Sequence, residues 1–258
     1  MAPSLYDTHV HLDFMQNMEE VATDARTLGL GMLATTVTPQ GYEHAQELLS
    51  DAPNVLVGVG LHPWWVADGR CSEDDVERTA ALAASSRFVG EIGLDLSPSH
   101  VPEGSLEAQV RALETVALSC ARTSDGASPK VLSLHSVRAA GLTLDVLERT
   151  GALASCRCIF HWFSGTSDEL HRAVKAGCWF AINEMMLRTR RGREYARQMP
   201  ADRLLLETDL PPGEDVPFSA TEIVAQLERT LDELSAIRCC DVRGLTCMNT
   251  ERLLSSAR

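Results

Sequence analysis

Two histidines separated by one residue, His9 and His11, are the first side chains in the sequence whose type and spacing suit metal chemistry. Residues i and i+2 of a β-strand point to the same side, so a strand that ends here aims both imidazoles at one point. A surface strand with incidental histidines gives the same pattern, and one pair cannot fill the coordination sphere of a divalent ion. The pair therefore predicts a metal site only if other segments supply the missing ligands.

Several later segments place polar side chains directly after short apolar runs. These side chains are His62, Glu91, His135, His161, Glu207 and Asp209. Each one alone is compatible with a satisfied structural residue. Six side chains, His9, His11, Glu91, His135, His161 and Asp209, together form a nitrogen and oxygen donor set that suits Zn²⁺, Mn²⁺ or Mg²⁺. Six ligands exceed what one open catalytic site holds, so we expect two ions about 3.5–4 Å apart, with Glu91 as the candidate bridge.

Eight apolar runs must position these side chains. They are Leu5–Thr8, Gly31–Val37, Val55–Val59, Phe88–Ile92, Lys130–Leu134, Cys158–Phe160, Cys178–Ile182 and Leu204–Leu206. Segments with helical spacing of apolar residues lie between them, such as the one that contains Leu106, Val110 and Leu113. Because the runs are continuously hydrophobic, we expect strands buried on both faces in a parallel, helix-covered sheet.

Eight strand and helix units in about 250 residues match a single (β/α)8 TIM barrel, although doubly wound sheets share this alternation. The polar side chains collect at the carboxyl ends of the runs, where the active site of a TIM barrel lies. The sequence contains no Gly-Ser-Pro linker and no internal repeat. We therefore predict one α/β domain over residues 1–258.

The composition limits the classes of function. A net charge of −13, from 23 basic and 36 acidic residues, argues against a broad nucleic-acid surface. A polyanionic substrate would instead be received at a local site by bound cations. No apolar run reaches the roughly 18 residues that span a bilayer, and the first residues lack a secretory pattern, so we predict no membrane partner and a cytoplasmic location. The eight cysteines contain no C-x-x-C pair and are expected to be reduced thiols.

The sequence resembles the TatD family of metal-dependent deoxyribonucleases in the amidohydrolase superfamily. The matching segments occur in the family's order along nearly the whole chain: Asp7-Thr8-His9-Val10-His11-Leu12-Asp13, Gly60-Leu61-His62-Pro63, Gly90-Glu91-Ile92-Gly93-Leu94-Asp95, Leu134-His135-Ser136, Phe160-His161-Trp162-Phe163-Ser164-Gly165 and Leu206-Glu207-Thr208-Asp209. The resemblance implies that His9, His11 and Asp209 hold one divalent ion. It implies that His135 and His161 hold the other, that Glu91 joins the two, and that His62 contacts the substrate.

A narrower resemblance connects the chain to the TatD-type nuclease component of Qat anti-phage defence systems. It rests on Gly93-Leu94-Asp95-Leu96-Ser97-Pro98, Phe160-His161-Trp162-Phe163-Ser164-Gly165 and Ala176-Gly177-Cys178-Trp179-Phe180. This resemblance implies a role in antiviral defence with other Qat-system proteins as partners.

The chain differs from the wider family at positions expected to contact the substrate. Trp64 and Trp65 stand where many members carry a further histidine. Leu96 and Ser97 replace an aromatic-arginine pair, and Val137 replaces an arginine that is displaced to Arg138. These differences leave the ligand set intact, so we expect ordinary metal chemistry with altered substrate contacts.

The expected chemistry is attack by a metal-bound hydroxide on a phosphodiester. Asp209 and Glu91 are the predicted catalytic residues, with Asp209 as general base or proton shuttle. Glu207 lies two residues earlier on the same side of the strand and would orient a ligand histidine. A buried partner at the barrel mouth is an equal interpretation of Glu207.

Candidate substrate contacts are His62, Arg138, Trp64, Arg188 and Arg191. Arg188 and Arg191 follow the seventh strand, and guanidinium groups suit phosphate oxygens. A solvated helix face explains the same spacing. Trp64 could stack on an unpaired base or pack in the core.

We thus expect a deoxyribonuclease with two divalent ions, Zn²⁺, Mn²⁺ or Mg²⁺, that acts as an exonuclease on DNA ends or single strands. A small-molecule amidohydrolase with the same metal site is one alternative. Its carbamylated-lysine subtype is disfavoured because the chain has only Lys130 and Lys175, and neither follows the fourth strand. The other alternative is a non-catalytic subunit of a defence complex. It is disfavoured because such a subunit has no physical need for a complete set of metal ligands.

Overall fold

The computed structural model describes residues 3–255 and contains one sheet of eight parallel strands. The strands are β1 (Leu5–Val10), β2 (Leu30–Thr35), β3 (Val55–Leu61), β4 (Phe88–Asp95), β5 (Val131–Val137), β6 (Arg157–His161), β7 (Trp179–Ile182) and β8 (Leu204–Leu206). Their order in the sheet follows their order in the sequence. This connectivity is that of a TIM barrel.

Hydrogen bonds between the first and last strands bring the edges of the sheet together. The Thr8 hydroxyl donates to the carbonyl oxygen of Leu206 at 2.9 Å. The backbone N–H of Asp209 donates to the carbonyl of His9 at 2.9 Å, and that of His11 donates to the carbonyl of Leu210 at 2.8 Å. The predicted (β/α)8 barrel is confirmed, and the doubly wound alternative is wrong because its sheet has two open edges.

Helices cover the outside of the barrel. They are α1 (Met18–Thr27), α2 (Pro39–Leu48), α3 (Pro63–Ala67), α4 (Glu73–Ser85), α5 (Leu106–Thr123), α6 (Ala140–Thr150), α7 (Ala152–Ser155), α8 (Ser167–Lys175), α9 (Glu184–Leu187), α10 (Arg190–Gln198), α11 (Ala220–Arg238) and α12 (Arg243–Leu254). Short 3-10 turns occur at Leu12–Phe14 and Ala201–Arg203. Helices α4 and α8 begin with capping boxes formed by Ser72 with Asp75 and by Thr166 with Glu169. No helix within residues 3–255 is long and apolar enough to cross a membrane.

Alternate residues of each strand point into the barrel, and their character changes from one end to the other. A buried apolar cluster that includes Val131, Ile159 and Leu205 fills the end where the strands begin. Two residues further along β6, and just beyond the end of β8, the same inward face carries His161 and Glu207. The barrel therefore has an apolar floor and a polar mouth.

Five strands extend beyond the predicted ends. Strands β1, β3, β4, β5 and β6 continue to Val10, Leu61, Asp95, Val137 and His161. The predicted runs of β1, β5 and β6 stopped before a histidine and those of β3 and β4 before a glycine, but buried histidines and glycines at the mouth are compatible with continued pairing to the neighbouring strands. The site residues on these strands are consequently held by regular β-structure rather than by loops.

Candidate metal centre

The six residues predicted as metal ligands meet around the carboxylate of Glu91, which lies on β4 and is 2% exposed. His9 and His11 come from β1 and the residue after it, His135 from β5, and His161 from the end of β6. Asp209 follows β8 and has a left-handed backbone (φ 60°), a conformation that aspartate tolerates better than most residues. The barrel mouth thus collects side chains that are up to 200 residues apart, as His9 and Asp209 are.

Each oxygen of the Glu91 carboxylate faces a different pair of histidines. Oε2 lies 3.3 Å from Nε2 of His9 and 3.4 Å from Nε2 of His11. Oε1 lies 2.6 Å from Nδ1 of His135 and 2.7 Å from Nε2 of His161. Asp209 belongs to the first side, with Oδ1 3.6 Å and 3.5 Å from the same nitrogens of His9 and His11. The contacts with Glu91 thus divide these four histidines between its two oxygens, while His9, His161 and Asp209 also have potential ligand atoms within 4.8 Å of one another.

Hydrogen bonds behind the rings fix which nitrogens are available to bind metal. His11 donates from Nδ1 to the carbonyl oxygen of Thr35 at 3.2 Å. His135 donates from Nε2 to Oδ2 of Asp95 at 3.1 Å. In the neutral rings the other nitrogens then carry lone pairs toward Glu91, and Nε2 of His9 is buried without a hydrogen-bond partner in the described chain. Lone pairs that converge on carboxylate oxygens fit divalent cations, with the distal ring N–H groups held as metal-binding histidines require.

The pKa values of the metal-free cluster reflect the close contacts between its histidines and carboxylates. Burial raises the pKa of Glu91, but His62 and the other histidines around it lower that pKa well below its usual value. Burial lowers the pKa of His11, but hydrogen bonds to Asp209 and Glu91 raise it to about 10. Burial and the neighbouring His161 lower the pKa of His9 to about 4. Without metal the protein therefore holds protons on some of these rings in place of cations.

His62 also faces Glu91 with Nε2, but its proton in the neutral ring lies on a different nitrogen from that of His11. Its Nδ1 accepts the backbone N–H of Trp64 at 3.2 Å, so in the neutral ring the proton lies on Nε2. Nε2 points at Oε1 of Glu91 from 3.4 Å. Burial lowers the pKa of His62 to about 4, which keeps the ring neutral. Although His62, Glu91 and His135 lie close enough to hold a metal ion, His62 offers a hydrogen-bond donor there rather than a lone pair.

Asp95 supports the centre and was missed by the sequence prediction. Its Oδ2 accepts hydrogen bonds from Nε2 of His135 at 3.1 Å, from Nε1 of Trp64 at 2.7 Å and from Nδ1 of His100 at 2.8 Å. Burial raises the pKa of Asp95, but the hydrogen bonds from His135 and Trp64 lower it below its usual range. The signal in the sequence is its spacing of four from Glu91, which places both carboxylates on one face of β4.

Glycine at position 93 allows β4 to approach His135. Gly93 has φ +149°, and a Cβ built there would lie 2.0 Å from the carbonyl oxygen of His135. Any side chain would push the two strands apart. The spacing between Glu91 and His135 thus depends on a residue without a side chain.

Ser133 and Glu207 lie behind the remaining rings, and Nδ1 of His161 has no hydrogen-bond partner in the described chain. The hydroxyl of Ser133 lies 2.8 Å from Nδ1 of His9. Glu207 accepts the backbone N–H of Trp162 and the side-chain amide of Asn183, both at 2.9 Å, and its Oε1 lies 3.8 Å from Nδ1 of His161. Ser133 was also missed, and its signal is the spacing of two from His135.

A cavity of about 500 Å³ opens above the cluster. Its wall includes the predicted substrate contacts His62 and Trp64, together with Trp65, Trp162 and the loop residue His100. The predicted arginines Arg138, Arg188 and Arg191 are exposed and do not line this cavity. Arg188 pairs with Glu184 at 3.0 Å. Phosphate binding by these three arginines stays a prediction.

An eight-stranded parallel barrel with a buried histidine and carboxylate cluster at its mouth defines the chain as a metal-dependent hydrolase. The family model described as TatD related DNase matches residues 6–255. The chain belongs to the TatD family.

Individual relatives agree with this membership. The chain is 27% identical over 244 residues to the metal-dependent hydrolase YcfH of Escherichia coli strain K12, covering 90% of this chain and 87% of that protein. It is 29% identical over 220 residues to the 3'-5' ssDNA/RNA exonuclease TatD of Citrobacter rodentium, covering 80% and 78%. The crystal structure of the TatD homologue YJJV from Escherichia coli K12 has the same fold, with a TM-score of 0.80, 22% identity, and coverage of 98% and 99%.

Proposed function

We propose that this chain is a divalent-metal-dependent exonuclease that hydrolyses phosphodiester bonds at DNA ends or in single strands. The main support is that the two carboxylate oxygens of Glu91 lie near separate pairs of histidines. A carboxylate arranged in this way suits a bridge between two ions, and two-ion centres are typical of phosphodiester hydrolysis.

The ligand assignment follows from the same division. His9, His11 and Asp209 would hold one ion, His135 and His161 the other, and Glu91 both. Divalent ions held there, Zn²⁺, Mn²⁺ or Mg²⁺, would lower the pKa of a bound water and balance the charge that develops on phosphate oxygens. The described centre satisfies the donor chemistry of such ions because its lone pairs converge on Glu91 and Asp209.

The remaining polar groups have distinct tasks in this proposal. Asp209 is the more open carboxylate, with 22% of its side chain exposed against 2% for Glu91, and it accepts the proton of the attacking water. His62 donates from Nε2 to a phosphate oxygen, since its Nδ1 is occupied by Trp64. Glu207 keeps the His161 ring in place from behind.

The shape of the site favours a single strand. The cluster lies at the bottom of the cavity, and aromatic rings of Trp64, Trp65 and Trp162 form its wall. Base stacking on such rings does not depend on sequence, and an unpaired base exposes its faces. The name of the Citrobacter rodentium relative, an exonuclease of single-stranded DNA and RNA that works in the 3'-5' direction, supports this choice of substrate.

The test is cleavage of single-stranded and double-stranded DNA by the purified chain with Mn²⁺ or Mg²⁺, with and without EDTA. We expect nucleotides to be released from single strands only when metal is present. The Asp209→Asn variant should lose activity by two or more orders of magnitude, whereas replacement of the exposed His171 by alanine should have no effect. Failure of the metal-loaded protein to cleave either DNA would reject the proposal.

We further propose that the nuclease acts in the cytoplasm in anti-phage defence, together with other Qat-system proteins. The support is the sequence resemblance in the segments around Asp95, His161 and Trp179. In a phage challenge, cells that carry the complete system with His9→Ala/His11→Ala should lose protection. Equal protection by the variant and the original chain would exclude a catalytic contribution to defence.

A further inference from the structure

The wall of the cavity above the metal centre contains no lysine or arginine among residues 3–255. An anionic strand that enters it meets imidazoles and the hydroxyls of Ser136 and Ser164 in place of lysine and arginine side chains. Five histidines line the cavity, namely His11, His62, His100, His135 and His161. All of them except His100 contact Glu91 directly. His100 is therefore available for a task other than building the centre.

The ring of His100 is held in a fixed orientation. Its Nδ1 donates to Oδ2 of Asp95 at 2.8 Å. The turn that carries it is tied to the same carboxylate, since Oδ1 accepts the backbone N–H of Ser97 at 2.7 Å and the N–H of His100 donates to the carbonyl of Ser97 at 2.9 Å. The ring also lies 4.9 Å from that of Trp64. A side chain in a surface turn would otherwise be free to rotate.

The other nitrogen of this ring is not engaged by the protein. No hydrogen bond within the described chain uses Nε2 of His100, and 37% of the side chain is exposed. Asp95 is buried, and a carboxylate behind an imidazole orients the ring. The pair Asp95 and His100 thus leaves Nε2 as the ring nitrogen that a ligand can reach.

We propose that Nε2 of His100 donates to an oxygen of the phosphate next to the scissile phosphate in a single-stranded substrate, with the ring bound as an imidazolium between that phosphate and the carboxylate of Asp95. This inference rests on the proposed nuclease function and adds a specificity-determining contact to it. His100 reaches Glu91 only through Asp95 and His135, which places it beside the reacting centre and not in it. A substrate with a single phosphodiester would not extend to this ring.

Two substrates separate this contact from a general loss of activity. One is pentathymidylate, which has neighbouring phosphates, and the other is bis(p-nitrophenyl) phosphate, which has only the scissile one. In the variants His100→Ala and His100→Gln, the ratio of kcat/KM for pentathymidylate to that for bis(p-nitrophenyl) phosphate should fall about tenfold, because a hydrogen bond to a charged group is lost. The fall should come from KM. His171→Ala is the matched control, since His171 is an exposed histidine on α8.

Binding measured without turnover distinguishes failure of this inference from failure of the proposed function. The anisotropy of a fluorescein-labelled, phosphorothioate-linked pentathymidylate gives its Kd for the metal-loaded protein, and we expect His100→Ala to weaken binding about tenfold. If the original chain cleaves no DNA, the nuclease proposal is wrong, and the anisotropy comparison still decides the role of His100. Equal Kd values, an equal loss on both substrates, or a loss confined to kcat would each overturn the contact with the neighbouring phosphate.

Discussion

Replacement of Asp95 by asparagine tests how much the metal centre depends on the carboxylate behind it. Oδ2 of Asp95 accepts N–H groups from His135, Trp64 and His100, and Oδ1 accepts the N–H of Ser97. An amide keeps the shape of the carboxylate but has only one acceptor oxygen. In either amide orientation its NH₂ group faces at least one buried N–H donor, so hydrogen bonds are lost and a donor remains unpaired.

The magnitude follows from these contacts. A hydrogen bond to a charged group contributes about 1.5–3 kcal/mol, and bonds that share one oxygen do not add fully, so we expect the free energy of unfolding to fall by about 2–4 kcal/mol. Metal affinity should fall about 10–100-fold, because His135 loses the partner that fixes its proton on Nε2. The pKa of Asp95 is lower in the folded protein than in the unfolded chain, where it is about 4. The carboxylate therefore stabilises the fold fully above the unfolded pKa, and this stabilisation is lost as the pH falls through the folded-state pKa.

Urea unfolding in EDTA measures the stability difference without the contribution of bound metal, and calorimetric titration with Mn²⁺ measures affinity. The control is Asp145→Asn, which removes an exposed partner of Arg172 and should cost less than about 1 kcal/mol. The difference between the original chain and Asp95→Asn should shrink below about pH 4. If Asp95→Asn unfolds within about 0.5 kcal/mol of the original chain and binds Mn²⁺ equally well, the carboxylate does not support the centre.

Three further outcomes follow from the site. The pKa is raised in three rings of the metal-free cluster, His11, His135 and His161, because their bonds to carboxylates outweigh burial. Because ions must displace these protons, metal affinity should rise with pH between about 5 and 8. Calorimetry in buffers of different ionisation enthalpy should detect the release of protons on metal binding. An affinity that does not change with pH would contradict the displacement of protons. Trp162→Ala should raise KM for a single-stranded oligonucleotide about tenfold, since the ring lines the cavity and 37% of the residue is exposed. Glu207→Gln should lower the metal content retained after dialysis, measured by mass spectrometry, because His161 loses its anionic neighbour.

The fold and the predicted ligand cluster could be read from the sequence because both depend on local periodicity. Eight buried runs separated by helical patterns specify a parallel barrel, and parallel strands bring their carboxyl ends to one mouth. A polar residue at the carboxyl end of a strand, such as His135 or His161, therefore lies at the barrel mouth. The ends of five strands were wrong because a buried histidine or a glycine at a strand end reads as a loop when only hydrophobicity is considered.

The contacts around Asp95 could not be predicted in the same way. They depend on where the turn with His100 folds and on how α3 places Trp64, and neither is determined by strand periodicity. The arginines illustrate the converse case. Arg188 and Arg191 follow β7 in the sequence, but Arg188 turns to Glu184 outside the cavity, as expected for the solvated helix face that the spacing also allowed.

We propose that Glu91 bridges two divalent ions at the barrel mouth, and anomalous diffraction from crystals of the chain soaked with Mn²⁺ would locate them. We expect two peaks about 3.5–4 Å apart on either side of Glu91, with His9, His11 and Asp209 at one and His135 and His161 at the other. A single peak, or two peaks that do not share Glu91, would contradict it.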